Sequence, residues 1–144
     1  MQEKLPECVV EMEQRLRQIA ATVRRRGRTL LEQYGITPPQ FDALLILHRE
    51  GDLTIGDLSN RLYLAYSTTT DLVDRLEGAG FVERQRSQSD RRVVQVRILE
   101  RGADLIEEVL DARRSYLNTV LHPLSLDDKR EILRALELLN TTMN

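Results

Sequence analysis

Arg84, Arg86, Arg91 and Arg92 crowd into one short stretch of the chain, separated mainly by Ser87, Gln88, Ser89 and Asp90. A guanidinium presents a planar fork that meets phosphate oxygens, or the edge of a guanine, in paired hydrogen bonds. Just upstream, Tyr66, Ser67, Thr68 and Thr70 supply hydroxyls of the kind that reach phosphates and base edges, with threonine also able to meet a thymine methyl. The chain leans on arginine for its positive charge, since Lys4 and Lys129 are its lysines. Six arginines and no acid run from Arg15 to Arg28, and six more from Arg84 to Arg101 stand against Asp90 and Glu100. The net charge of −2 does not suggest a nucleic-acid partner by its sum, and the bland account of either run is a solvated helix face. Enzyme chemistry finds little support. There are two histidines, His48 and His122, and one cysteine, Cys8. They form no metal-ligand cluster and no nucleophile–base pair, and no glycine-rich phosphate loop is present. No cofactor is expected.

Those groups need elements to hold them. Val9, Met12, Leu16, Ile19 and Val23 recur at helical spacing, so residues 9–34 read as a long helix stopped by Gly35. Thr37-Pro38-Pro39-Gln40 is a capping box with proline at the first helical position, opening a helix that buries Phe41, Leu44, Leu45 and Leu47. Thr54 caps a short helix with Ile55, Leu58 and Leu62 inward, and a brief link leads to a longer helix from Tyr66 to Ala79, closed by Gly80. This is the outline of a helix-turn-helix. Phe81 to Arg86 and Arg92 to Ile98 then read as two strands around a polar turn, a hairpin placed as a wing. Its arginines lie where phosphates or a minor groove would be met. Residues 101–120, and those from Ser125 onward, read as two closing helices with more apolar seam than one small domain needs. A second copy of the chain is the simplest cover for them, and a self-contained helical lid is the alternative. At about 100° per residue, Thr69, Leu72, Val73 and Leu76 face the core. Ser67, Thr70, Asp71 and Asp74 face away from it. Asp71, a bare carboxylate on that side, either pairs with Arg75 one turn later or accepts from a cytosine amino group; the Arg75 pair is preferred.

The run Leu58-Ser59-Asn60-Arg61-Leu62, then Ser67-Thr68-Thr69-Thr70-Asp71-Leu72-Val73-Asp74-Arg75-Leu76-Glu77, Gly80-Phe81-Val82-Glu83-Arg84 and Ser89-Asp90-Arg91-Arg92 resembles the multiple-antibiotic-resistance regulator family, MarR. Ile36 to Phe41 and Arg101-Gly102 fit as well, so the resemblance spans nearly the whole chain. It implies a mainly α fold with a small β-hairpin wing, a winged helix-turn-helix that dimerises through its N- and C-terminal helices. The implied division is a dimerisation helix over 1–36, a DNA-binding lobe over 37–99 and further dimerisation helices over 100–144. The implied partners are double-stranded DNA, a second copy and a small-molecule effector. The implied function is repression from an inverted-repeat operator. By this resemblance Arg92 matches the arginine that enters the minor groove and Asp90 the acid that poses it, with Arg91 beside them at the tip. Arg84 and Arg86 become phosphate contacts on the wing stem, and Tyr66 donates to a phosphate or merely packs on Leu62. The sequence departs from the family's pattern at Ala65, where a polar cap is usual, at Asp71, and at Glu100, where a threonine cap is usual.

The signal is less legible. The family's oxidation-sensing branch carries a cysteine inside the first helix, and Cys8 lies several residues too early; the matching position is near Glu13. Arg26, Tyr34 and His48 are candidates for an effector cleft, each with an ordinary structural role as the alternative. Without a run of about 18 apolar residues or a signal-peptide pattern, a cytoplasmic protein with no membrane partner is expected. Two rivals stand beside a DNA-binding repressor released by a small molecule. One is a thiol-sensing repressor, and the other is a degenerate winged helix that serves as a protein-binding module or anti-repressor, kept alive by Asp71, Asp74 and the net negative charge.

Overall fold

In the computed structural model, which describes residues 3–144, local capping chemistry sets most of the helix boundaries. The first helix, α1, spans Glu7–Gln33. Thr37 then opens α2 (Pro38–Glu50): its hydroxyl accepts from the Gln40 N–H at 3.3 Å, and the Gln40 side chain accepts from the Thr37 N–H at 2.9 Å. This reciprocal pair satisfies two of the N–H groups that a helix start leaves orphaned. Thr54 does the same for α3 (Ile55–Leu62), accepting from the Asp57 N–H at 3.1 Å. The next helix, α4 (Tyr66–Gly78), starts at Ala65 without a side-chain cap. Its first turn instead draws the Thr69 and Thr70 hydroxyls back onto the carbonyls of Ala65 and Tyr66, both at 3.0 Å.

Two strands follow, β2 (Val82–Arg86) and β3 (Val94–Ile98), and they pair antiparallel from Val82↔Ile98 to Arg86↔Val94. The hairpin expected from sequence is present, with each strand beginning slightly later than the apolar pattern suggests. It is not a two-stranded sheet. Leu53–Thr54 forms a short strand, β1, that adds to the other edge of β3 through Leu53↔Val96 and Thr54↔Gln95. Two residues are too few to show an alternating pattern, so this strand is invisible until β3 is folded beside it. Asp52 strengthens the join by accepting from Arg97 of β3 at 3.1 and 3.2 Å.

The core is built from Phe41, Leu44 and Leu47 of α2, Leu58 of α3, Val73 and Leu76 of α4, and Val82 and Val96 of the sheet, all essentially inaccessible to solvent. Each such side chain contributes roughly 1.5–3 kcal/mol by leaving water. Thr69 is buried among them because its hydroxyl is already satisfied by Ala65. The alternation in β3 places Val96 in the core, whereas Val94, toward the tip of the hairpin, stays exposed.

The chain divides into two compact units, one ending at Val109 and the other Leu110–Asn144. Helix α5 (Glu100–Leu121) begins in the first and ends in the second. Leu105, Ile106 and Val109 on its first half are buried, whereas Tyr116, Leu117 and Val120 on its second half are exposed. Ser125 caps α6 (Leu126–Met143), which buries none of its residues in the single chain. Within the first unit, α1 leaves Val9, Met12, Leu16, Ile19 and Val23 exposed.

The start of α5 lies close against the base of the hairpin. The Leu99 N–H donates to the Phe81 carbonyl at 2.9 Å, and a β-carbon on Gly102 would run into that same carbonyl oxygen and come within 2.9 Å of Ile98 Cγ1. Backbone cannot yield as a flexible side chain can. Gly102→Ala is therefore expected to destabilise the protein by about 1–3 kcal/mol, read as a lowered midpoint in urea or thermal unfolding.

Candidate nucleic-acid interface

Helix α4 has two sharply different faces. Thr69, Leu72, Val73 and Leu76 are buried, while Ser67, Thr68, Asp71, Asp74 and Arg75 are exposed and Thr70 is partly so. Tyr66 begins the helix with 63% of its surface in solvent. The exposed face carries short hydroxyls and no bulky apolar group beyond that ring, a profile narrow enough to enter a groove about 12 Å wide.

The charges on this face are arranged differently from the sequence expectation. The preferred Asp71–Arg75 pair is not formed; among the described residues neither side chain has an ion-pair partner. Both groups are exposed, and an exposed pair at this spacing gains too little to hold two side chains against solvent. Asp74, expected to face a groove, is engaged from the other side. Arg84 on β2 donates to Asp74 Oδ1 at 2.6 Å and to Glu77 Oε1 at 2.7 Å, while its backbone N–H donates to Glu77 Oε2 at 2.8 Å. Its side chain keeps only 25% of its exposure. Burial works against the charge, but hydrogen bonds and charge from Asp74 and Glu77 outweigh it and hold the guanidinium above its ordinary pKa. Arg84 is thus a tether between α4 and the hairpin, a part not foreseen for a residue expected from sequence as a phosphate contact. Glu77, whose part was not foreseen, stands one turn after Asp74 at the edge of α4 that meets β2, and that spacing was the signal available.

At the far end of the hairpin the turn is closed by Ser87 N–H to the Val93 carbonyl at 2.8 Å and Val93 N–H to the Asp90 carbonyl at 3.0 Å. Arg86, the other stem arginine, donates to the Arg91 carbonyl at 2.8 Å and braces the loop. Asp90 accepts from the Arg92 backbone N–H at 3.0 Å and from Arg92 Nε at 3.3 Å. The Arg92 side chain is nevertheless 92% exposed. One carboxylate thus fixes the root of the side chain, and the terminal amines are presented to solvent. Arg91 beside it is exposed as well.

A cleft of about 490 Å³ opens between the end of α1 and the start of α5, lined by Tyr34, Phe81, Arg101 and Leu105 together with Glu100, Asp104 and Glu108. Arg101 sits over the Phe81 ring, 5.1 Å from its centroid. Tyr34, one of the three candidates named from sequence, lines this cleft. His48 does not line it; its Nε2 lies 3.1 Å from Glu107 Oε1.

The MarR family profile matches residues 36–94, from the α2 cap to the return strand of the hairpin. The chain is 49% identical over 117 residues to the HTH-type transcriptional regulator YsmB of Bacillus subtilis, covering 81% of this chain and 80% of that one. It is 34% identical over 120 residues to the organic hydroperoxide resistance transcriptional regulator of the same organism, covering 83% and 80%. A solved structure of a MarR family protein from Bacillus stearothermophilus superposes with a TM-score of 0.90 at 48% identity, covering 97% of this chain and 99% of that one. The chain belongs to the MarR family. It is a DNA-binding transcriptional regulator with the winged helix-turn-helix fold. These relatives are named as regulators, not enzymes, and among the described residues no helix is long and apolar enough to cross a membrane.

In this MarR family regulator the Arg84 tether makes α4 and the hairpin one body. Arg84→Ala leaves Asp74 and Glu77 facing each other without their shared cation. A loss of about 1 kcal/mol is expected, since the carboxylates can partly recover water. Comparison of wild type and variant in urea unfolding measures it.

Proposed function

We propose that the chain acts as a homodimeric repressor on an inverted-repeat operator, with α4 in the major groove and the Arg92 wing in the minor groove. The observation that carries this reading is the pose of Arg92. A guanidinium held through Nε by Asp90 and otherwise bare has lost part of its freedom before binding and keeps its four terminal N–H donors for a partner. A narrow minor groove concentrates negative potential and suits such a group. On α4, Ser67, Thr68 and Thr70 are positioned for base edges and phosphates, and Tyr66 for the flanking backbone. Arg75 and Arg91 add phosphate contacts, and Arg86 supports the tip. Asp71, without a partner on its own helix, is left to accept from a cytosine amino group. These assignments support DNA recognition over the protein-binding alternative, because Asp74 is paired with Arg84 and presents less charge to phosphate than a bare carboxylate would.

Dimerisation rests on the apolar faces left in solvent. Residues 1–36 and 100–144 are assigned to it, and 37–99 to DNA. Val9, Met12, Leu16, Ile19 and Val23 on α1 form one exposed stripe, and Ile132, Leu133, Leu136 and Leu139 on α6 form another. A two-fold dimer places two α4 helices about one turn of DNA apart, roughly 34–36 Å. Leu136→Lys is expected to convert the protein to monomers in sedimentation and to abolish tight operator binding; an unchanged dimer would remove α6 from the interface.

The direct test is an anisotropy titration against DNA upstream of the protein's own gene, beside a scrambled duplex, at two salt concentrations. Arg92→Ala is expected to weaken binding by about 1–3 kcal/mol without altering the oligomeric state. Unchanged affinity would take the wing out of the mechanism.

Release by a small molecule is the regulatory reading. The likeness to an organic hydroperoxide resistance regulator is the observation that favours thiol control instead. Cys8, the one cysteine of the chain, is exposed in the first turn of α1. Cys8→Ser is expected to leave DNA binding and its response to peroxide unaltered. Release of the wild type by peroxide, but not of that variant, would establish thiol control.

A further inference from the structure

Three helices of the first unit end in the same way. After α1, the Ile36 N–H donates to the Leu31 carbonyl at 3.2 Å and the Gly35 N–H to that of Glu32 at 3.1 Å. After α4, Phe81 donates to Leu76 and Gly80 to Glu77, both at 3.0 Å. After α3, Leu64 donates to Ser59 at 3.1 Å and Tyr63 to Asn60 at 3.4 Å. Such a paired closure puts the residue just past the helix in left-handed backbone, and φ is 71° at Gly35, 80° at Gly80 and 55° at Tyr63. Glycine takes that conformation freely, whereas a β-carbon crowds the following carbonyl. Among the described residues Tyr63 is the one non-glycine residue with positive φ.

The two backbone bonds that close α3 would form with glycine as well, and among the described residues the Tyr63 side chain adds nothing to offset the strain. The Tyr63 side chain is 94% exposed, and among the described residues it has no hydrogen bond and no ring contact. A glycine would close α3 equally well and leave no aromatic ring in water. Strain held at a position where packing gives no return is an indicator of function. The position is the turn of the helix-turn-helix, three residues before the exposed Tyr66. In that motif the first helix crosses the DNA backbone and the second enters the groove, so the turn between them passes over sugar and phosphate.

We propose that Tyr63 is a DNA-contact residue whose phenol hydroxyl donates to a phosphate oxygen on the strand bordering the groove that α4 enters. This rests on the docking of α3 and α4 proposed above. The phenol is neutral, so its contact displaces no counterion and carries no base information. It therefore adds equally to operator and to unrelated sequence, and it leaves the salt dependence to the arginines.

Three full-length variants, Tyr63→Gly, Tyr63→Phe and Arg92→Ala, are to be titrated with the upstream DNA and a scrambled duplex at two salt concentrations. Thermal unfolding is measured alongside. Tyr63→Gly is expected to melt at or above the wild-type temperature, because it relieves the left-handed strain. It is expected to bind both duplexes roughly tenfold more weakly, with an unchanged salt slope. Tyr63→Phe should show the same loss. A lower melting temperature for Tyr63→Gly would assign the ring a structural task and overturn the proposal, as would a loss confined to the upstream DNA or a full-affinity Tyr63→Phe. If the Tyr63 variants match wild type while Arg92→Ala weakens binding, the tyrosine assignment alone fails. If Arg92→Ala is silent too, the docking itself is refuted.

Discussion

The guanidinium of Arg84 sits between the two elements that would touch DNA, and their common geometry depends on it. Helix α4 reaches the core through Thr69, Leu72, Val73 and Leu76, and β2 reaches it through Val82. Apolar packing is non-directional, and the ladder that joins the hairpin to β1 acts on β3 rather than on the β2 side facing α4. The bonds from Arg84 to Asp74 and Glu77, with the backbone bond from the same residue to Glu77, fix the direction of the hairpin. Partial burial strengthens the ion pairs by excluding water from one side. At the base of the hairpin, Gly102 lets α5 approach the Phe81 carbonyl closely and adds a second point of attachment.

This arrangement explains how a chain with a net charge of −2 can present a DNA-binding face. The acids there have specific tasks. Asp74 and Glu77 hold Arg84, and Asp90 holds Arg92. Affinity for phosphate depends on the potential at the contacting surface, and acids already engaged with arginines alter that potential far less than bare ones. Asp71 is the exception on this face. As an acceptor it would bring discrimination rather than affinity, consistent with a helix whose other exposed groups are mainly neutral hydroxyls.

The terminal helices pose a different physical problem. Helix α6 buries none of its residues in the single chain, although Leu126, Ile132, Leu133, Leu136 and Leu139 recur along it. Helix α1 exposes its own stripe through most of its length. An exposed apolar stripe along a helix, as each of these is, marks an interaction surface. The homodimer proposed above would remove both stripes from water and, through its two-fold axis, duplicate the reading head.

Helix starts and stops were legible in the amino-acid sequence because the interactions that set them span three or four residues. Thr37 with Gln40, Thr54 with Asp57, and Gly35 and Gly80 past their helices all act within one turn, so the order of residues is enough to show them. The buried face of α4 was legible for the same reason, since periodicity alone separates Thr69 and Leu76 from Ser67 and Asp71. The hairpin and the Asp90–Arg92 contact are nearly as local. Other features belong to the tertiary structure alone. Strand β1 exists only because β3 offers it an edge, and Arg84 turned from phosphate contact to tether only because the register of β2 brings it to Asp74 and Glu77. The Asp71–Arg75 pair had ideal spacing and still did not form, because spacing permits an interaction while competition with solvent and neighbours decides it. Tyr63 shows the same division. Its identity was always in the sequence, but its strain and exposure emerged only when α3 was closed by a left-handed residue.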